Sequence, residues 1–203
     1  MTEAVALLSA LVAIPSVTTE EHAIVAFLAD WFRDRGLEVR QDDRNLEIRV
    51  RGAAPGPVLL WSSHLDTVPV GSGWTVDPFT PTIRDGRMTG RGCNDAKASI
   101  AAFSVALCAL AASPPASGEV VLAATCEEER GRLGLERFLP SLGPIHAALV
   151  GEPTGLHPAV AQNGLLLLDL VARGRAGHAA RPQLAVNAIE VAARDVLALH
   201  ALT

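Results

Sequence analysis

Apolar residues recur at three- and four-residue intervals through Val5, Leu8, Leu11 or Val12, and Ile14, a helical stripe that stops at Pro15. A second stripe, Ile24, Phe27, Leu28 and Trp31, runs as far as Gly36. Thr18 followed three residues later by Glu21 has the spacing of a capping box for that helix. The pattern then turns to short β segments, Leu37 to Arg40 and Leu46 to Val50 about a polar turn. Val58 to Ser62 follows as a buried central strand. From Val70 to Asp85 the chain is irregular and rich in Gly, Pro and Thr, a kind of connection that often borders a site. Lys97 to Ala112 is an Ala-rich helix, ended by Ser113 to Gly118. Val120 to Thr125 and Ile145 to Val150 read as two further buried strands, each running directly into acid. After Asn163 the pattern predicts one strand, Leu165 to Arg173, a loop from Gly174 to Gln183, and an amphipathic helix over Ala185 to Leu199. The order predicts an α/β catalytic domain over residues 1–163 with a central mixed sheet. Residues 164–203 are expected to begin a second, α+β domain that does not close.

Composition changes this picture little. With 203 residues, 49% of them hydrophobic, the chain can bury a substantial core. The net charge of −5 comes without a basic patch, which argues against nucleic acid as a partner. Charge and proline interrupt every apolar stretch too soon for a membrane span, and no Lys or Arg precedes Arg33 as a secretory signal would require. Cys93, Cys108 and Cys126 show no Cys-x-x-Cys spacing and are expected to be reduced thiols of a cytoplasmic protein.

Candidate chemistry collects where the strands end. His64 and Asp66 leave the Val58 strand one residue apart, a spacing that in extended chain turns both side chains to one side. A carboxylate beside a histidine can hold it in the tautomer a metal needs. Asp95 lies in a glycine-containing turn before the Ala-rich helix, the Glu127-Glu128-Glu129 run ends the next strand, and Glu152 ends the last. Imidazole and carboxylates at one apolar rim are the ligand set of a hydrolytic zinc or cobalt site, because packed carboxylates repel unless a cation lies between them. Each piece alone also has a plain structural reading. Asp95 could be a helix cap, the glutamates an acidic first turn, Glu152 a turn residue before proline and His178 an exposed loop histidine.

The segments His-Leu-Asp-Thr-Val-Pro, Gly-Arg-Gly-Cys-Asn-Asp-Ala-Lys, Thr125 to Glu129, Gly-Glu-Pro-Thr-Gly and Gly-His-Ala-Ala-Arg-Pro occur in that order. Together they resemble the acetylornithine deacetylase, succinyl-diaminopimelate desuccinylase and carboxypeptidase family of co-catalytic zinc hydrolases. The resemblance implies a three-layer zinc-peptidase-like catalytic domain followed by a lid and dimerisation domain. It also implies that His64 binds one metal, Asp95 bridges two, Glu152 completes the first site and Glu129 binds the second. Asp66 would orient His64, and Glu128 would be the general base acting on metal-activated water. Register within the glutamate run stays open by one position. His178 would reach a partner subunit's site and hold the oxyanion, making a homodimer the working unit.

Two zinc ions per full-length subunit are implied, with cobalt able to substitute. The family's second metal takes a histidine from near the end of a longer chain, and nothing here matches it; His157 and His200 lack the context. The implied activity is removal of the acyl group of an N-acyl amino acid, acetylornithine foremost. The alternatives are a carboxypeptidase or dipeptidase acting on short peptides, or an incomplete fragment serving as a binding or assembly module.

Overall fold

The structure is a computed structural model that describes residues 1–131, 133–164 and 168–201. It divides into residues 1–157 and 158–203, a boundary several residues before the expected one at Asn163.

In the first unit the two N-terminal stripes form α1 (Glu3–Val12) and α2 (His22–Arg33), and the Ala-rich stretch forms α3 (Lys97–Ala112). Thr2 caps α1 by accepting the Val5 N–H. Gly36, at φ +75°, ends α2, and the Leu37 N–H returns to the Phe32 carbonyl beyond it, the closure a left-handed glycine permits. The capping box expected for α2 does not form. Glu21 occupies the cap position with helical backbone angles and no side-chain cap bond, while Thr18 is turned toward Asp66. Both side chains are committed to buried acceptors and donors elsewhere, which outweighs a local cap.

Five strands form one mixed sheet in the order β1-β2-β6-β3-β7: β1 (Val39–Asp42), β2 (Asn45–Arg51), β3 (Ala54–His64), β6 (Ser117–Thr125) and β7 (Ala147–Val150). β3 is parallel to both β6 and β7, and β2 is antiparallel to both β1 and β6. The middle strand is β6; β3 is interior beside it. Side-chain alternation places Leu46, Ile48, Leu122 and Ala124 on the face covered by α1, α2 and α3. Val58, Leu60, Val121 and Ala123 point to the other face, under Phe138 and Leu142 of α4 (Leu133–Phe138) and the 3-10 turn after it. The expected three layers are therefore present.

Three expectations are corrected. β7 is not buried: all four of its residues are exposed, because it is an edge strand with β3 as its one paired neighbour. The irregular stretch ends in a hairpin of β4 (Thr82–Arg84) and β5 (Arg87–Thr89). Asp85 and Gly86 take φ +50° and +73° at its tip, the primed turn that Asp-Gly favours. In the second unit, Leu165 to Leu167 lie outside the described residues, and Leu168 to Arg173 are not a strand. Among the described residues the pairing there is a single bridge between Arg175 and Val186, and one such bridge gives too few ladder bonds to order a longer strand. The predicted helix forms as α5 (Ala188–His200), with Asn187 accepting the Ile189 N–H as its cap.

Candidate metal centre

Three parallel strands deliver the site. His64 is the last residue of β3, the glutamate run follows β6, and Glu152 follows β7, so all of them reach the carboxyl-terminal rim of the sheet. Register makes this possible: His64 pairs with Thr125, and Ser62 with Val150. The Gly151 N–H donates to the Ser62 carbonyl and the Ser63 hydroxyl donates to the Gly151 carbonyl, which pins Glu152 beside the end of β3. Asp95 arrives from the turn before α3. There Gly92, at φ +79°, lies so close to Thr67 and Lys97 that an added Cβ would sit 2.8 Å from a Thr67 methyl. The peptide bond between Asp95 and Ala96 is cis.

Around His64 the donors converge. Its Nε2 lies 3.0 Å from Asp95 Oδ1, 3.9 Å from Glu152 Oε1 and 4.0 Å from Glu128 Oε2. His64, Asp95 and Glu129 each offer one ligand atom, all within 4.8 Å of one another. On the other side of the ring, Nδ1 sits 3.0 Å from the Asp66 backbone carbonyl and 3.4 Å from its carboxylate. A proton on Nδ1 satisfies both, so Nε2 is the nitrogen turned to the carboxylates and the one a metal would take.

Asp66 is fully buried and its carboxylate is saturated. It accepts from the Thr18 hydroxyl at 2.8 Å and from the backbone N–H groups of Glu128 and Glu129 at 3.0 and 3.1 Å. Burial works against its ionisation, but the His64 ring and these donors outweigh burial and hold its pKa below the ordinary value. For His64 burial again opposes the charge, and the hydrogen bond and charge of Asp66, then Glu152 and Glu128, raise it to about 9. Glu129 is pushed up by burial and then by Asp95, against the pull of His64. Glu152 is pushed up by burial and then, against the same pull, by Glu128 and Asp95. That crowding of like charge is what a divalent cation would relieve, and the donor set of one imidazole with carboxylates suits zinc or cobalt.

Geometry separates the three glutamates. Glu127, with φ +59°, turns away from His64 and pairs with Arg44, while Glu128 and Glu129 face the imidazole. Four residues outside the candidate ligand set achieve this: Thr18 and Glu21, whose spacing suggests caps, and Arg44 and Asn45 in the β1–β2 turn region. Cys126 is buried, and burial pushes its thiol up to about 12. Cys93 donates to the Met88 carbonyl. His178, in the second unit, is exposed, and its Nδ1 accepts the Ala180 N–H.

The sequence model of the peptidase family M20/M25/M40 matches residues 60–199. A succinyl-diaminopimelate desuccinylase of Delftia acidovorans is 36% identical over 95% of this chain and 55% of its own length. The chain thus spans about half the length of the curated relatives it matches. Among solved structures, a tripeptidase from Staphylococcus aureus superposes with a TM-score of 0.67 at 22% identity, over 96% of this chain and 55% of that one. An M20 family metallo-carboxypeptidase from Sulfolobus solfataricus gives 0.66 at 21% identity, over 74% of this chain and 37% of that one.

Proposed function

The chain belongs to the M20/M25/M40 peptidase family, and from that premise we propose that it is the metal-binding part of a hydrolase that cleaves the amide bond of an N-acyl amino acid. One observation carries the reading: His64, its Nδ1 held by Asp66, turns Nε2 toward Asp95, Glu128 and Glu152 at 3.0 to 4.0 Å. His64, Asp95 and Glu152 would hold a first ion, and Glu129 with a shared Asp95 a second. Zinc is the assigned metal, with cobalt able to replace it. When bound, such an ion supplies Lewis acidity and lowers the pKa of water to about 7.

The remaining roles fall to the chain itself. Asp66 fixes the His64 tautomer and, through the Glu128 and Glu129 N–H groups, the backbone that carries the base. Glu128, with its side chain about half exposed, takes the proton of the attacking water and returns it to the leaving amine. We assign His178 to the oxyanion, reaching a second subunit's site in a homodimer; the motif around it is the support. No helix among the described residues is long and apolar enough to cross a membrane, which fits the cytoplasmic location we propose.

The desuccinylase relatives support an acylated amino acid as the substrate. Acetylornithine, suggested by the sequence motifs, stands beside succinyl-diaminopimelate, named for the 36% identical relative. The tripeptidase and carboxypeptidase neighbours favour a second reading, hydrolysis of short peptides. Amine release from N-acetyl- and N-succinyl-amino acids and from a dipeptide, measured with zinc and with a chelator, separates the two. Faster cleavage of the acyl amino acids, stopped by chelation, is the expected result. Preference for the dipeptide would move the assignment to the second reading, and cleavage indifferent to chelator would overturn both.

A further inference from the structure

Glu21 and Arg44 lie outside the ligand set, yet Glu21 is fully buried and Arg44 nearly so. Arg44 donates to the Glu21 carboxylate through one guanidinium nitrogen and to Glu127 through another, bridging two acids. The other Glu21 oxygen accepts the Glu127 N–H at 3.1 Å and the Thr19 N–H at 3.0 Å. Asn45 continues the pattern, accepting the Cys126 N–H at 3.1 Å and donating to the Gly134 carbonyl. Four consecutive backbone donors, from Cys126 to Glu129, are thereby held by three side chains: Asn45, Glu21 and Asp66. Gly134 closes the back of this turn so tightly that a Cβ there would lie 2.0 Å from the Cys126 carbonyl oxygen.

We propose that Glu21 and Arg44 are positioning residues of the metal centre, a buried clamp that decides which of three successive glutamates face His64. This positioning role rests on the metal site proposed above. Three identical side chains in a row cannot select their own register. Selection requires that one be drawn off and that its backbone be held in a conformation a non-glycine residue seldom adopts. Arg44 draws off the Glu127 carboxylate, and Glu21 holds its N–H with φ at +59°. Asp66 then receives the next two N–H groups, so the clamp and the His64-orienting carboxylate share one turn of backbone. Lysine at position 44 keeps the charge but offers one nitrogen where arginine gives each carboxylate its own.

The test uses the metal-stripped parent chain, Arg44→Lys and Glu21→Gln. Amide hydrogen exchange is followed first, and cobalt(II) is then titrated against its visible absorption. In both variants the amides of residues 126–129 are expected to exchange about tenfold faster or more, the scale of losing a hydrogen bond to a charged group, with Val120 to Ala124 of β6 unchanged. Cobalt affinity should fall by roughly 10- to 100-fold, the usual effect of removing a partner that orients a ligand. Unchanged exchange at 126–129, or faster exchange with cobalt affinity intact, would overturn the proposal. So would global loss of protection in both variants, since the pair would then hold the fold and not the turn. A parent chain that binds no cobalt, with exchange altered only at 126–129 in the variants, would sink the metal reading and leave the clamp's hold on the turn standing.

Discussion

Two stretches of this chain carry similar hydrophobic stripes and meet different fates. In residues 1–157, α1 and α2 bury Leu11, Ile24 and Leu28 of their stripes, with Leu7 and Phe32 beside them, at no more than 3% exposure. In residues 158–201, α5 has as regular a stripe, yet no described residue is buried, and Ile189 and Leu197 are 79% and 69% exposed. The two histidines singled out from the sequence divide the same way. His64 is 1% exposed and held on both ring nitrogens, whereas His178 is exposed and accepts from its neighbour's backbone. Periodicity states what a face is able to bury. Only a partner decides whether it does so, and site geometry becomes fixed where the core is.

The sharpest way to press that comparison is at the base. Glu128→Gln keeps the backbone N–H bonded to Asp66, so cobalt binding should remain nearly that of the parent, while hydrolysis by the metal-loaded enzyme falls by about 10²- to 10⁴-fold. Equal turnover in variant and parent would show that the base is elsewhere.

Stability comes next. Phe32→Ala in the first unit should cost about 3–5 kcal/mol in urea unfolding, because it empties a fully buried site. Ile189→Ala on α5 should stay within about 0.5 kcal/mol in this chain. Similar losses at the two positions would mean that the second unit has a core of its own.

A smaller effect is expected from pH. The folded His64 pKa of about 9 lies above its ordinary 6.5, so between those values the folded protein binds more protons than the unfolded one, and stability falls as pH rises. The clearest window is pH 6.5 to 8. Above that, Lys97, lowered by burial to about 8, contributes in the opposite sense. Chelated parent protein should lose stability across the window, and His64→Gln should flatten the slope. A parent whose stability rises there would contradict the Asp66–His64 assignment.

Much of this was legible in the sequence. The helices over residues 3–12, 22–33 and 97–112 and the interior strands followed from periodicity. His64, the glutamate run and Glu152 stand at the ends of apolar runs and Asp95 in the turn before the Ala-rich helix, while the choice of Glu129 within its run came from the resemblance. The rest was hidden for identifiable reasons. Thr18 and Glu21 have the spacing of a cap, and nothing local reveals that Asp66, 48 residues away, competes for the hydroxyl. Arg44 sits in a polar turn where an arginine is unremarkable; its meaning comes from Glu127, 83 residues on. The openness of β7 was invisible because an edge strand and an interior strand read alike when both are apolar. The Asp85-Gly86 hairpin was a missed signal, since that dipeptide in a two-residue turn is a strong local one.

The proposed ligand assignment gives His64, Asp95 and Glu152 one cation at the end of the sheet, and Asp95 with Glu129 a second. Its most direct test is cobalt(II) titration of the metal-stripped parent beside His64→Ala, with bound metal counted per chain. At least one ion per parent chain, and loss of that ion in the variant, is the expected result. A parent that binds none, or a variant that binds as the parent does, would contradict it.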